Sequence, residues 1–346
     1  MSRTCSLHTR YRIAQVGCGG ICPSWMDVWV DHPEVCVVAL VDIVPEHAQA
    51  IRQRYDLDVP IFTTLTEARQ HVDFNLVCNT PTPDAHAAIF HEALDLGCDV
   101  LSEKPLAESL EQARDMVTRA AREQKTFAVM QNRRYLHAIR AARELAHQVG
   151  PIGYAGADFF IGAHFGGFRD IMDYPLLLDM AIHTFDQARF LLDADAVAVY
   201  CNSFNPPGSW YAGHASAVAT FEMSNGAVFC YRGSWCSEGT QGSWQGVWRI
   251  QGALGAVEWD GETMPTAHTV PMDSDGFIRT AHPLAPPPLW ENGTHPEGHA
   301  GCLTHMIEAL KAGREPETAG HDNIKSLSMV LAAIESAERK QRVEIE

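Results

Sequence analysis

The stretch Arg12-Ile13-Ala14-Gln15-Val16-Gly17-Cys18-Gly19-Gly20-Ile21-Cys22 decides the reading of the fold. A short apolar run stops at a glycine cluster, and a helix-like segment follows it. Gly17 permits a tight turn, and Gly19 lets the backbone approach a pyrophosphate seated on the next helix's N-terminus. Cys22 stands where a third glycine is usual; it is small enough for close helix–strand packing. Context strengthens the signal. A second apolar run, Val35–Asp42, closes about twenty residues later on an acidic side chain. Asp42 there accepts hydrogen bonds from adenosine ribose hydroxyls and repels a 2′-phosphate. The next residue is Ile43, not Arg or Lys, which favours NAD over NADP. The competing reading is a glycine-rich turn that happens to adjoin a strand-terminal Asp.

Outward from this turn, apolar runs at Phe74–Asn79, Asp99–Ser102 and Thr126–Met130 alternate with helix-period segments. Ala85, Ala88, Ile89, Ala93 and Leu96 recur at helical spacing, with Gly97 where a C-terminal cap belongs. Strand–helix alternation specifies a parallel sheet covered on both faces. Residues 1–131 are therefore expected to form an α/β, Rossmann-type doubly wound domain. Beyond about 150 the strands are richer in Val, Tyr, Phe and Trp, at 154–161, 196–204, 215–223, 226–236, 246–251 and 255–259. Asn225-Gly226 marks a hairpin. Helical stretches are expected at Pro175–Leu192, 297–312 and 321–341. Residues 132–346 thus read as an α+β domain with a large, mostly antiparallel open sheet. The Pro-, Gly-, Thr- and His-rich segment 261–296 reads as a long loop.

The 346 residues, 46% hydrophobic and 20% charged, suit two globular domains. Net charge is −17, from 26 Lys plus Arg against 43 Asp plus Glu. Such a surface, with no basic run, disfavours nucleic acid and anionic membranes as partners. The N-terminal segment has no apolar leader, and no stretch is apolar enough to span a membrane. Ten cysteines are scattered without CxxC or zinc-like spacing, as expected of reduced thiols in a cytoplasmic protein with no metal.

Three further features fall where a doubly wound sheet places ligands, or in the second domain. Thr80-Pro81-Thr82 follows one strand, where its backbone borders the nicotinamide ribose. Glu103-Lys104-Pro105 follows another, so that Lys104 points into the crevice. In the second domain, Asp179 and His183 are four apart on one helix face, with Asp186 beside His183 at i+3. A carboxylate next to an imidazole raises its basicity and orients it for general-base work. The plainer alternative is a buried His satisfied by a helix neighbour. Trp210, Trp235, Trp244 and Trp248 offer sugar-stacking faces, and His164 and Arg169 offer donors, although core or surface placement is the simpler reading for each.

Together these residues resemble the glucose–fructose oxidoreductase/inositol dehydrogenase (Gfo/Idh/MocA) family. The resemblance covers nearly the whole chain. It rests on Gly17–Cys22, Asp42, Thr80-Pro81, the Glu103-Lys104-Pro105 triplet, Asn132-Arg133-Arg134-Tyr135 and Asp179…His183. It implies Lys104, Asp179 and His183 as catalytic residues. The cofactor-binding set is then Gly17, Gly19, Gly20, Ile21, Asp42, Thr80, Pro81, His86, Glu103 and Lys104. It also implies a homodimer or homotetramer, since the family's open sheet often forms subunit interfaces. The expected activity is hydride transfer between a sugar, glycoside or cyclitol hydroxyl and NAD. His183 takes the proton while Lys104 stabilises the same oxygen. Two rivals use the same scaffold: glycoside cleavage through transient oxidation by held NAD, and a non-catalytic sensor of NAD or sugar.

Overall fold

The computed structural model describes residues 10–345; the opening segment from which the lack of a leader was read lies largely outside them. The chain divides into two compact units, Met1–Asn132 with Glu297–Ile324 and Arg133–Pro296 with Lys325–Glu346.

In the first unit, strands and helices alternate as β1 (Tyr11–Val16), α1 (Cys22–Trp29), β2 (Val35–Val41), α2 (Pro45–Arg54), β3 (Ile61–Phe62), α3 (Leu65–His71), β4 (Leu76–Asn79), α4 (His86–Asp95), β5 (Asp99–Ser102), α5 (Leu110–Arg122) and β6 (Phe127–Val129). All six strands are parallel, in the order β3-β2-β1-β4-β5-β6. Because the order reverses at β1, a ligand crevice opens at the carboxyl ends of β1 and β4. The Val-Cys-Val-Val-Ala-Leu-Val run of β2 is buried along almost its whole length, so the sheet needs cover on both faces. Thr64 caps α3 by accepting the Glu67 N–H at 3.1 Å, and Ser109 caps α5 by accepting that of Gln112 at 3.2 Å. Gly97 takes φ +73° just past α4, as its cap position demands.

The second unit begins with α6 (His137–Gln148) and β7 (Ile152–Phe160). A π-helical turn (Leu176–Ala181) runs into α7 (Ile182–Leu192). There follow β8 (Ala196–Phe204), β9 (Ser216–Met223), β10 (Val228–Ser234), β11 (Val247–Gly252), β12 (Gly255–Trp259), β13 (Thr266–Thr269) and β14 (His282–Pro283). After α8 (Gly298–Ala312) and α9 (Gly320–Arg339), β15 (Val343–Glu344) completes the sheet. The nine strands run β14-β13-β12-β11-β7-β10-β9-β8-β15, antiparallel except for the β7–β10 pair. Gly226, at φ +84°, turns β9 into β10 at the predicted hairpin. Side chains alternate between a covered face, led by Phe221, Phe229, Tyr231 and Trp248, and an open face bearing Tyr154, Tyr200, Val218 and Val247.

Three expectations need amending. Residues 261–296 are not one loop: β13 and β14 extend the sheet at its edge, and Trp290 stacks on His295 at 3.8 Å. These strands are too short to show a period. Residues 297–324 pack with the first unit, where α8 lies on α1 and buries Cys302, Leu303, Met306 and Ile307. Cys36 is disulfide-bonded, whereas eight other described cysteines are free thiols. Among the described residues no helix is long and apolar enough to cross a membrane.

Candidate active site

The glycine turn of the first unit is closed from below. The Gly17 N–H donates to the Val41 carbonyl at 2.9 Å, and φ is +80°. A Cβ at this position would sit 2.3 Å from the Pro81 nitrogen, so only glycine fits between β1 and the Thr80-Pro81 step. The Thr80 hydroxyl accepts the Gln15 amide at 2.7 Å and donates to the Gly17 carbonyl at 2.7 Å. On the outer side Gly19 and Gly20 are exposed, and a Cβ on either would meet nothing within 4 Å. Ile21 leads into α1, which opens with Pro23 in its first turn. Cys22 is wholly buried as the first residue of α1. Its hydrogen bond with Cys18 and its burial push its thiol far above the ordinary range.

Asp42, one residue past β2, faces this turn. Its Oδ2 accepts the Cys18 N–H at 2.7 Å and its Oδ1 the Val44 N–H at 2.8 Å. Its orientation is therefore set by backbone before any ligand arrives. Ile43 is exposed, and His47 Nδ1 lies 3.6 Å from Asp42 Oδ1. Open glycine backbone, a helix start and an anchored carboxylate fit the pyrophosphate and ribose of a dinucleotide.

The loop after β5 is held from both sides. Glu103 is buried; its Oε1 accepts the Trp25 indole N–H at 2.8 Å and its Oε2 the Lys104 N–H at 3.1 Å. The Lys104–Pro105 peptide is cis. The His86 Nδ1–H donates to the Pro105 carbonyl at 2.8 Å, and burial lowers the imidazole's pKa. His86, expected among the cofactor contacts, has its ring in this loop-holding bond. Trp25 and its bond to Glu103 escaped sequence reading, since nothing local ties residue 25 to residue 103. Lys104 is half-buried.

In the second unit, Asp179 lies in the π-turn and His183 in the first turn of α7; both are buried. The turn bonds i→i+5, so the regular helix expected over 175–192 is widened where Asp179 sits. The Arg169 Nε–H donates to Asp179 Oδ2 at 2.5 Å, which places Arg169 beside the carboxylate rather than on its own. Asp186 is held by residues distant in sequence. It receives Arg134 Nε at 2.7 Å and Nη2 at 2.6 Å, and the Ser326 hydroxyl at 2.7 Å. A bidentate guanidinium holds a buried carboxylate better than a single imidazole does. Trp235 and Trp248 are core residues; Trp210 is stacked by His164 at 3.6 Å, and Trp244 is partly exposed.

A six-stranded dinucleotide-type sheet with a glycine turn and an aligned acid, joined in one chain to an open nine-stranded sheet, defines a nucleotide-dependent oxidoreductase scaffold. Residues 11–131 match a family model described as "Oxidoreductase family, NAD-binding Rossmann fold", and 173–345 match its "C-terminal alpha/beta domain". The chain belongs to the Gfo/Idh/MocA oxidoreductase family. A D-apiose dehydrogenase of Paraburkholderia graminis is 27% identical over 365 residues, covering 100% of this chain and 92% of that protein. An inositol 2-dehydrogenase of Rhizobium meliloti is 26% identical, over 89% of this chain and 91% of its own. The fold is shared with an oxidoreductase from Agrobacterium radiobacter solved with NAD+, L-tartaric acid and magnesium: TM-score 0.83, 21% identity, 97% and 98% coverage.

Proposed function

We propose that the chain is an NAD-dependent dehydrogenase moving hydride reversibly between a sugar, glycoside or cyclitol hydroxyl and nicotinamide. The observation that carries this reading is the glycine turn, sealed by Pro81 and faced by the backbone-anchored Asp42. The apiose and inositol dehydrogenases among the relatives support the substrate class. When bound, the nicotinamide accepts or returns the hydride. His183 takes the hydroxyl proton on its imidazole. The Lys104 ammonium stabilises negative charge growing on the same oxygen. Asp179, clamped by Arg169, orients the imidazole or a neighbouring hydroxyl. Cofactor binding falls to the first unit and substrate binding to the second.

NAD is preferred because Asp42 is a fixed negative charge with no Arg or Lys next to it. Asp42→Ser should therefore raise the NADP to NAD ratio of kcat/KM at least about tenfold, as one lost charge repulsion or ribose bond warrants. The central test is a panel of polyols and sugars with NAD and NADP, followed by NADH absorbance. Lys104→Ala and His183→Ala should still bind NADH but lose about 100-fold or more in kcat. Wild-type turnover in either variant removes that residue from its role. The same reading has the protein acting in the cytoplasm as a homodimer or homotetramer joined through the open sheet face. There Tyr200 and Val218 stand exposed, and Tyr200→Glu should shift the sedimentation coefficient towards monomer.

A further inference from the structure

In the second unit, three large rings stand in the open: Phe165, Phe168 and Trp244 are 56%, 45% and 41% exposed. They are firmly mounted. Phe165 meets the wholly buried Trp235 edge to face at 5.9 Å and tilts towards Trp244 at 6.2 Å, while Trp244 meets the buried Phe159 at 6.4 Å. The loops that carry Phe165 and Trp244 are tied together. Gly162 donates its N–H to the Gln241 side-chain carbonyl at 2.7 Å, and Gly242 donates its own to the Phe160 carbonyl at 2.7 Å. The turn Gly167–Ile171, which carries Phe168, is held where the Ala212 N–H donates to the Asp170 carbonyl at 2.8 Å. Arg169 joins the rings to Asp179. Its Cζ lies 4.6 Å from the centre of the Phe168 ring and 5.2 Å from that of Phe165, and its Nε–H is the donor to the Asp179 carboxylate. Exposed rings grouped beside a polar centre mark a ligand surface. Because they are open to solvent, a ligand reaches them without rearrangement of the core.

We propose that Phe165, Phe168 and Trp244 form an aglycone subsite next to Asp179, so that the substrate is a glycoside bearing an aromatic group rather than a free sugar or cyclitol. As a statement about the substrate this rests on the dehydrogenase reading; as a binding site it stands alone. Phenylalanine rings offer no hydrogen bond, so the hydroxyls of a bare cyclitol laid on them give up water without gaining a partner. An aromatic aglycone has no such loss. It buries apolar area and packs offset or edge to face on rings set at 59° to one another. The Arg169–Asp179 pair at the border of the rings meets the sugar hydroxyls. A ligand polar at one end and aromatic at the other matches this division.

The test titrates the NADH-loaded protein with phenyl and methyl β-D-glucosides, β-D-galactosides and β-D-xylosides, reading Kd by calorimetry and by quenching of tryptophan fluorescence. In at least one pair the phenyl glycoside should bind at least about tenfold more tightly than the methyl glycoside, as burial of one ring warrants. Phe165→Ala and Trp244→Ala should each bring that ratio down at least about threefold. Phe165→Leu keeps bulk over Trp235 without a ring face, so the loss of preference can be read in a folded protein. Trp244→Phe should keep part of the preference. Equal binding of phenyl and methyl glycosides in every pair overturns the subsite. So does a phenyl preference that survives both Phe165→Leu and Trp244→Ala. Variants that sediment closer to monomer, in a protein without phenyl preference, give the rings to a second copy of the chain and overturn it too. Free sugars or inositols oxidised by a protein without phenyl preference would sink the subsite alone. Phenyl glycosides held through Phe165 and Trp244, with no NADH formed from any sugar or glycoside, would support the subsite and remove the dehydrogenase reading.

Discussion

Replacing Arg134 with Met strips Asp186 of two charge-assisted hydrogen bonds, of 2.7 and 2.6 Å, in a site where both side chains are nearly fully buried. Each such bond is worth about 1.5–3 kcal/mol, and breaking a buried pair from one side typically costs about 3–5 kcal/mol. Ser326 and the more distant Arg189, at 3.8 Å, remain to share the orphaned carboxylate. The expected loss is therefore at the lower end, about 3 kcal/mol. For a domain of this size that is a fall of about 6–12 °C in the melting temperature of the second unit. Urea unfolding followed by tryptophan fluorescence reads it, since Trp235 and Trp248 lie in that unit's core. Adding Asp186→Leu to Arg134→Met should recover much of the loss, because the buried charge goes with its partner. A loss below about 1 kcal/mol, or a double variant no better than the single, would refute the assignment of Asp186 to the core.

Gly17→Ala should cost about 1–2 kcal/mol for its left-handed φ alone, and more for the clash with Pro81; weaker NADH binding and a lower melting temperature should appear together. Trp25→Phe leaves Glu103 without its indole donor and should cost about 1.5–3 kcal/mol in urea unfolding of the first unit. Burial lowers the pKa of His86 and His299, so both stay neutral in the fold but protonate once unfolded, below about 6.5. Stability should thus be complete above that value and fall as pH drops towards the folded pKa, by at most about 1.4 kcal/mol per pH unit per histidine. His86→Asn, which keeps a donor for Pro105, should flatten the slope; an unchanged slope would discount His86 as its source.

Where side chains repeat along one element, the fold was readable in advance. The runs at Asp99–Ser102, Ala196–Phe204 and 255–259 coincide with strands, and Gly97 and Gly226 adopt the backbone their positions imply. Local chemistry also placed Gly17 and Asp42 on the same turn. Information that lives between distant residues was not readable. Asp186 stands three residues from His183, so spacing points to that neighbour, but it gives no sign of the guanidinium and hydroxyl that residues 134 and 326 bring to the carboxylate. The π-turn leaves no mark in composition or period. Strands of two to four residues at or next to a sheet edge, such as β3, β13 and β14, pair because a neighbouring strand is present, not because of their own pattern.

The packing of α8 on α1 has a consequence for biogenesis. Helix α1, with Trp25 and Trp29 buried on it, emerges early from the ribosome, while α8, which packs on it, is translated only after residues 133–296 of the second unit. Until then the nascent first unit holds an oily flank open to solvent or to a chaperone. A gene fragment cut after residue 131 would freeze the molecule in that unfinished state, and would be expected to clump rather than bind nucleotide.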